Sequence, residues 1–258
     1  MGNTQISDVQ ALKDRFARNG YLVLQSFVTR EECARLDEDI EEYRRTAVLV
    51  DVKTSQPHRR LEFSTFHGSA VEENIRGSAE LNRRIEDFVN AVSSTRYVEL
   101  DNKDIGLSVN VTAPGGVFTW HYDRHEITTI LYLNEVQGGD LDFYPSCRLL
   151  LPEAWFRAKW LAFPRRLVQF GLDLLVRPAW VRNRISDMVS VAPAPGTLVV
   201  VIGTRTLHRV RDVRGQVARK AMVFAYDRPG RTFLNVQDYY GYGNKSGLNT
   251  TSRPTRTA

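Results

Sequence analysis

FTWHYDRHEITTILYLNEVQGGDLDFYP, residues 118–145, is the stretch on which the fold turns. It holds three short runs rich in Thr, Ile, Tyr and Phe: FTWHYD, ITTILYLN and LDFYP. Gly138-Gly139 punctuates them. Runs of this length and composition, bounded by turn residues, read as β-strands. The pattern continues on both sides. IGLSVNVT precedes it, closed by Pro114-Gly115-Gly116. MVSVAP, TLVVVIG and RKAMVFAYD follow it, with Pro195-Gly196 between the first two. Many short strands behind an α-rich beginning predict an antiparallel sandwich or jelly roll packed by helices.

The first hundred residues have a different period. Ser7 with Gln10 forms a capping box for a first helix, and Asn19-Gly20 is its stop. YLVL (21–24) reads as a short strand. Thr29 with Glu32 is a second capping box, and Cys33, Leu36, Ile40 and Tyr43 follow at helical spacing, predicting a helix over 30–46. Leu81, Ile85, Phe88 and Val92 mark a helix over 79–93. Residues 51–68 show no clear period and read as loop with some strand. Within the strand region, 152–187 turns helical, with a stripe of Phe163, Leu167, Phe170 and Leu174, and with Pro178 as the helix end. Residues 239–258, rich in Gly, Asn, Ser and Thr, read as a flexible tail.

The 258 residues, 42% of them hydrophobic, suffice for a full core. The expected organisation is one domain over 1–238, with helical support in 1–100, a β core in 105–227 and a helical insertion in 152–187. The 35 basic and 30 acidic residues give +5, interleaved rather than clustered. That implies mild attraction for anionic small molecules and argues against a nucleic-acid partner. Two distant cysteines, Cys33 and Cys147, exclude a disulfide framework and a zinc pattern. No apolar run reaches membrane-spanning length, and the start of the chain lacks a secretory core, so a cytoplasmic location is expected.

The chemistry centres on His121 and Asp123. Residues two apart in a strand face the same side, so both can point into one cavity. His208, in GTRTLHRV, ends another predicted strand. Two imidazoles and a carboxylate on one face of a metal, with the opposite face open, form the set used by non-haem Fe(II) oxygenases. A bare His-x-Asp is common by chance, and its context carries more weight. It is followed by a Thr/Ile strand ending Tyr-Leu-Asn, then Gly-Gly, then an aromatic strand. Pro-x-Gly and a Val-rich strand lead to the second histidine, and a basic residue comes after it.

With these residues in place, the sequence resembles the 2-oxoglutarate/Fe(II)-dependent dioxygenase superfamily, in its prolyl 4-hydroxylase-like and phytanoyl-CoA hydroxylase-like branch. The resemblance covers 105–227 and extends to FARNGYLVLQSF (16–27). It implies a mostly β fold with α elements: a distorted double-stranded β-helix, or jelly roll, with N-terminal helices packed on one sheet. It implies Fe(II) on His121, Asp123 and His208, 2-oxoglutarate as cosubstrate, and stimulation by ascorbate. Arg219 falls where the family places the basic residue that pairs with the distal carboxylate, and Lys220 is the neighbouring alternative. Strand alternation puts Arg219 on one face with Ala221, Val223 and Ala225. Thr128 falls on a hydroxyl position that contacts the cosubstrate in the family and Thr112 on one often held there by Tyr, with Asn110 a neighbouring candidate on the same strand face; both threonines also suit an ordinary strand. A carboxylate at position 123 argues for hydroxylation, desaturation or cyclisation over halogenation, in which a small residue vacates that position.

The expected substrate is a small molecule such as an amino acid or specialised metabolite, oxidised with dioxygen at an unactivated C–H. A protein-residue hydroxylase and a non-catalytic jelly-roll binding protein are the alternatives. Candidate substrate contacts are Arg124, His125, Arg59 and Arg60; each also reads as a solvated surface residue. The insertion reads as a lid, a dimer face or a packing element, and a homodimer is compatible with it. Its seven basic residues, three acidic residues and three tryptophans also suit a membrane surface.

Overall fold

The computed structural model describes residues 3–46, 63–148, 168, 171–172, 175–176 and 178–230. The predicted tail at 239–258, the Arg59/Arg60 pair and most of the 152–187 insertion lie outside them.

Four helices and two short strands come first among the described residues. Helix α1 spans Asn3–Asn19, starting ahead of the Ser7 capping box, and ends where Gly20, at φ 73°, donates its N–H to the Phe16 carbonyl. Strand β1 is Tyr21–Leu24 and helix α2 is Arg30–Thr46. The Thr29 cap is formed: the Glu32 N–H donates to Thr29 Oγ1 at 3.1 Å. Strand β2, Phe63–His67, supplies the strand within the irregular 51–68 stretch. Helix α3 (Ser69–Asn74) leads to α4 (Ser78–Val92), one residue off the predicted 79–93.

The strands follow: β3 Val98–Glu99, β4 Leu107–Thr112, β5 Phe118–His121, β6 Ile127–Tyr132, β7 Gln137–Gly138 and β8 Leu141–Tyr144. After a helix at Ala179–Ile185 come β9 Val189–Val191, β10 Leu198–Ile202, β11 Leu207–Val210, β12 Val213–Arg214 and β13 Arg219–Asp227. A short helix, Lys103–Gly106, enters β4 directly. Pro178 stands at the start of the Ala179–Ile185 helix, and the described residues 168, 171, 172 and 175 before it are helical.

The strands pair antiparallel in two principal sheets. The larger runs β1-β10-β6-β13-β4-β2, with β3 also on β13; the smaller runs β5-β11-β8-β9. Alternation gives the large sheet two apolar faces. Its outer face (Leu107, Val109, Val111, Ile127, Leu131, Leu198, Val200, Met222, Phe224) packs on Phe16, Cys33, Leu36, Ile40, Leu81, Ile85 and Val89 of the helices. Its inner face (Ile130, Tyr132, Val199, Val201, Ala221) meets Leu141, Phe143 and Val210 of the small sheet. This is the predicted jelly roll with helices on one sheet. Lys220 belongs to the helix side, where it pairs with Asp37 at 2.6 Å and Glu41 at 2.7 Å on α2. Arg219 therefore faces inward. No helix among the described residues is long and apolar enough to cross a membrane.

Candidate metal centre

His121 ends β5, and His208 lies opposite it in the antiparallel pair with β11, the ring centroids 4.1 Å apart. The register between these strands shifts between His208 and Val210, which opposes Phe118, so β5 carries an extra residue there. Each imidazole sets its Nδ1 on a backbone carbonyl: His121 on Thr119 O at 2.7 Å, His208 on Thr206 O at 3.0 Å. A carbonyl can only accept, so both Nδ1 atoms carry the proton. Both Nε2 atoms then keep a free lone pair, the form that binds a metal.

Asp123 reaches them from outside the strand. Parity places it beside His121 in an extended run, but β5 stops at His121. Asp123 sits in the following turn, its N–H donating to Gly203 O at 3.2 Å. Its Oδ1 lies 3.7 Å from His121 Nε2 and its Oδ2 lies 3.5 Å from His208 Nε2. One ligand atom from each residue fits within 4.8 Å of the other two, and no other such group occurs among the described residues. Two atoms each about 2.1 Å from one ion stand at most about 4.2 Å apart, so small side-chain adjustments suffice to share a cation. The side chain of His121 is 37% exposed while that of His208 is 7% exposed, so the centre opens on the His121 side.

The electrostatics suit a cation. Desolvation, then the neighbouring His208, hold the His121 imidazole down at about 4, so it is neutral at ordinary pH. Burial alone would raise Asp123, but His208, His125, His121 and the Thr128 hydroxyl outweigh it and pull the carboxyl down to about 2.

A second feature lies further along the inner face. Arg219 is 2% exposed and is the cross-strand partner of Thr112. Its guanidinium stands 5.0 Å from the Tyr132 ring centroid. Its Nε is buried without a hydrogen-bond partner, as are Thr112 Oγ1 and Tyr132 OH, and no carboxylate pairs with Arg219 among the described residues. A buried guanidinium lacking a counter-ion is costly, and an anionic ligand there would relieve it. Asn110 stands next along β4, opposite Ala221. Along β6, Thr128 and Tyr132 are four residues apart, roughly 13 Å at strand rise. An arginine side chain plus a five-carbon dicarboxylate covers such a span.

The other candidates fall as follows. The Thr128 hydroxyl donates to Asp123 Oδ2 in a short contact and lies 2.7 Å from His125 Nε2. His125 is buried at 4% exposure, its Nε2 3.8 Å from Asp123 Oδ2. Arg124 is exposed in the turn directly after Asp123. Sequence reasoning did not single out Tyr132 OH or Gly203. Tyr132 shares parity with Thr128, but only the register beside β13 sets it near Arg219. Gly203 carries no local signal. A Cβ there would lie 2.5 Å from Thr128 Oγ1 and 2.9 Å from Asp123 Cβ.

No family model matches the chain, and no curated protein matches its sequence. Solved structures do match in three dimensions. The epimerase SnoN in complex with Fe3+, alpha ketoglutarate and nogalamycin RO superposes with a TM-score of 0.62 at 14% identity, over 86% of this chain and 84% of that one. The non-heme alpha ketoglutarate dependent carbocyclase SnoK from nogalamycin biosynthesis gives 0.62 at 15% identity, over 92% and 91%. The prolyl hydroxylase from Trichoplax adhaerens, in complex with a hypoxia inducible factor oxygen degradation domain peptide fragment, gives 0.60 at 12% identity, over 95% and 98%. The chain thus has the jelly-roll fold of these non-heme, alpha ketoglutarate dependent enzymes and of the prolyl hydroxylase.

Proposed function

We propose that the chain is an Fe(II)- and 2-oxoglutarate-dependent oxygenase acting on an unactivated C–H bond of a small molecule. The observation that carries this reading is the buried Arg219, without a counter-ion among the described residues, on the inner face that leads to the His121, Asp123 and His208 donors. Iron bound with 2-oxoglutarate and dioxygen supplies the oxidising power, as the cosubstrate is decarboxylated to succinate. The protein's own residues do the remaining work. The two Nε2 lone pairs and the Asp123 carboxylate would hold the metal, leaving its remaining positions to cosubstrate and dioxygen. Arg219 takes the distal carboxylate of 2-oxoglutarate with its planar fork, and Thr112 and Tyr132 offer hydroxyls to the same end. Asn110 lines the same face. The turn at Arg124 forms part of the rim where substrate enters.

SnoN and SnoK, both from nogalamycin biosynthesis, favour a small-molecule substrate. The hydroxylase–peptide complex supports the protein-residue reading as the second possibility. Succinate release by purified protein with Fe(II), ascorbate and 2-oxoglutarate tests the activity. Its stimulation by a panel of amino acids and metabolites, against a panel of proline-containing peptides, tests the class. Stimulation by peptides alone refutes the small-molecule reading. Absence of both metal uptake and succinate release identifies a non-catalytic binding protein instead.

A further inference from the structure

His125 is a buried titratable side chain that the metal-centre reading leaves without a task. Its Nε2 lies 2.7 Å from Thr128 Oγ1, and the Thr128 hydroxyl also meets Asp123 Oδ2. The direction of this chain follows from its chemistry. An ionised carboxylate only accepts, so the Thr128 proton points to Oδ2. The Thr128 oxygen then accepts from His125, whose Nε2 therefore carries hydrogen. The relay runs His125 Nε2–H to Thr128 Oγ1–H to Asp123 Oδ2.

Its anchorage is rigid. Thr128 lies within β6, paired with Val201 of β10 on one side and Ala225 of β13 on the other. Gly203 closes the remaining space: a Cβ there would stand 2.5 Å from Thr128 Oγ1 and 3.1 Å from Asp123 Oδ2. The Gly203 N–H is held by Glu126 O at 2.8 Å, and its own carbonyl accepts from the Asp123 N–H. Asp123, which has left the strand, is thereby tied back to the central strand of the large sheet. Oδ2, 3.5 Å from His208 Nε2, is engaged by Thr128, and Oδ1, 3.7 Å from His121 Nε2, is the oxygen left without that hydroxyl.

We propose that His125 and Thr128 are positioning residues that hold Asp123 as a one-oxygen metal ligand through Oδ1. A carboxylate free to turn would chelate through both oxygens and occupy a coordination position that a bidentate 2-oxo acid and dioxygen need. The relay prevents that rotation. This inference rests on the metal-centre reading and adds to it which residues set the denticity of Asp123.

The test uses the full chain with cobalt(II) as probe, titrated by its visible absorption. Four variants are compared with the unaltered protein: Thr128→Val, Thr128→Ser, His125→Gln and His125→Gln with Thr128→Val. Thr128→Val is expected to weaken cobalt affinity roughly 10–100-fold, the usual cost of losing an outer-shell partner, and to change the intensity of the cobalt bands as the coordination number changes. Thr128→Ser, which keeps the hydroxyl, should restore both. His125→Gln should act in the same direction and add little in the Thr128→Val background, because it works through that hydroxyl. Unchanged affinity and spectrum in Thr128→Val overturn the relay, as does a full additional effect of His125→Gln in the double variant. If Thr128→Val does not fold, His125→Gln alone decides by the same two readouts. An unaltered chain that takes up no cobalt overturns the metal-centre reading itself, and the relay with it.

Discussion

His121 and His208 are direct cross-strand partners, and each fixes its ring by setting Nδ1 on the carbonyl of the residue two before it, Thr119 and Thr206. The two histidines thus repeat one local device on two antiparallel strands, and the pairing brings their Nε2 atoms to the same side. The device orients the rings while leaving free the Nε2 atoms that the proposed function assigns to the metal. A site built this way is organised before the metal arrives, which lowers the ordering cost of binding.

On the proposed function, replacing either ring would remove a metal ligand outright. His121→Ala and His208→Ala should each weaken divalent-metal affinity by more than the roughly 10–100-fold expected for an outer-shell loss. Isothermal titration with Fe(II) under nitrogen, or with cobalt(II), measures it. Affinity retained in His208→Ala would remove His208 from the ligand set.

The metal-free protein should lose stability as pH falls from about 6.5 towards 4. His121 in the folded chain sits at about 4, below its ordinary value of 6.5, because of desolvation and then the nearby His208. Between those values the unfolded chain binds more protons, so acid favours unfolding. Asp123 acts in the next window down: its depressed carboxyl stabilises the fold above its ordinary value of 3.8, and that contribution is lost as pH falls towards about 2. Urea midpoints of metal-free protein near pH 7 and pH 5 should differ, and the difference should narrow in His121→Gln. The same pH dependence in that variant would show that another group titrates.

Arg219 and Lys220 are adjacent but face opposite sides of the large sheet, so their variants should separate cleanly. Arg219→Ala should raise the 2-oxoglutarate requirement by on the order of 2–5 kcal/mol of apparent affinity, with little change in metal uptake. Lys220→Ala should leave that requirement alone and lower thermal stability by on the order of 1 kcal/mol, through loss of its ties to Asp37 and Glu41. Steady-state kinetics in 2-oxoglutarate and a melting curve for each variant decide between these roles. The opposite pattern would mean that Lys220 serves the cosubstrate.

Gly203→Ala adds one methyl group where Thr128 Oγ1 stands 2.5 Å away and Asp123 Cβ 2.9 Å away. Overpacking of this kind costs roughly 1–3 kcal/mol. Here it should also displace Asp123, so metal affinity should fall along with the melting temperature. A variant that melts early yet binds metal normally would show that the strain relaxes away from Asp123.

Period-two alternation made much of this architecture legible. Each of β6, β10 and β13 carries its own signal, and the alternation in RKAMVFAYD separates Arg219 from Lys220 without reference to any other strand. The Thr29 cap and the Asn19-Gly20 stop were equally local, because their hydrogen bonds close within one helical turn. His121 and Asp123 stood out by spacing, although the reason they converge is not the parity that suggested it. The strand ends at His121, and Asp123 is brought round by a turn whose N–H bonds to Gly203.

What tertiary structure alone decided is adjacency. Nothing near His208 says that β11 lies beside β5, nothing near Tyr132 says that Arg219 comes to rest over its ring, and nothing near Gly203 says that Thr128 and Asp123 need the space of its missing side chain. A strand's own residues determine which of its faces is apolar, since successive side chains must point opposite ways. Which strand it pairs with depends on packing summed over both sheets and the helices behind them, a balance of many weak contacts that no local window of sequence contains.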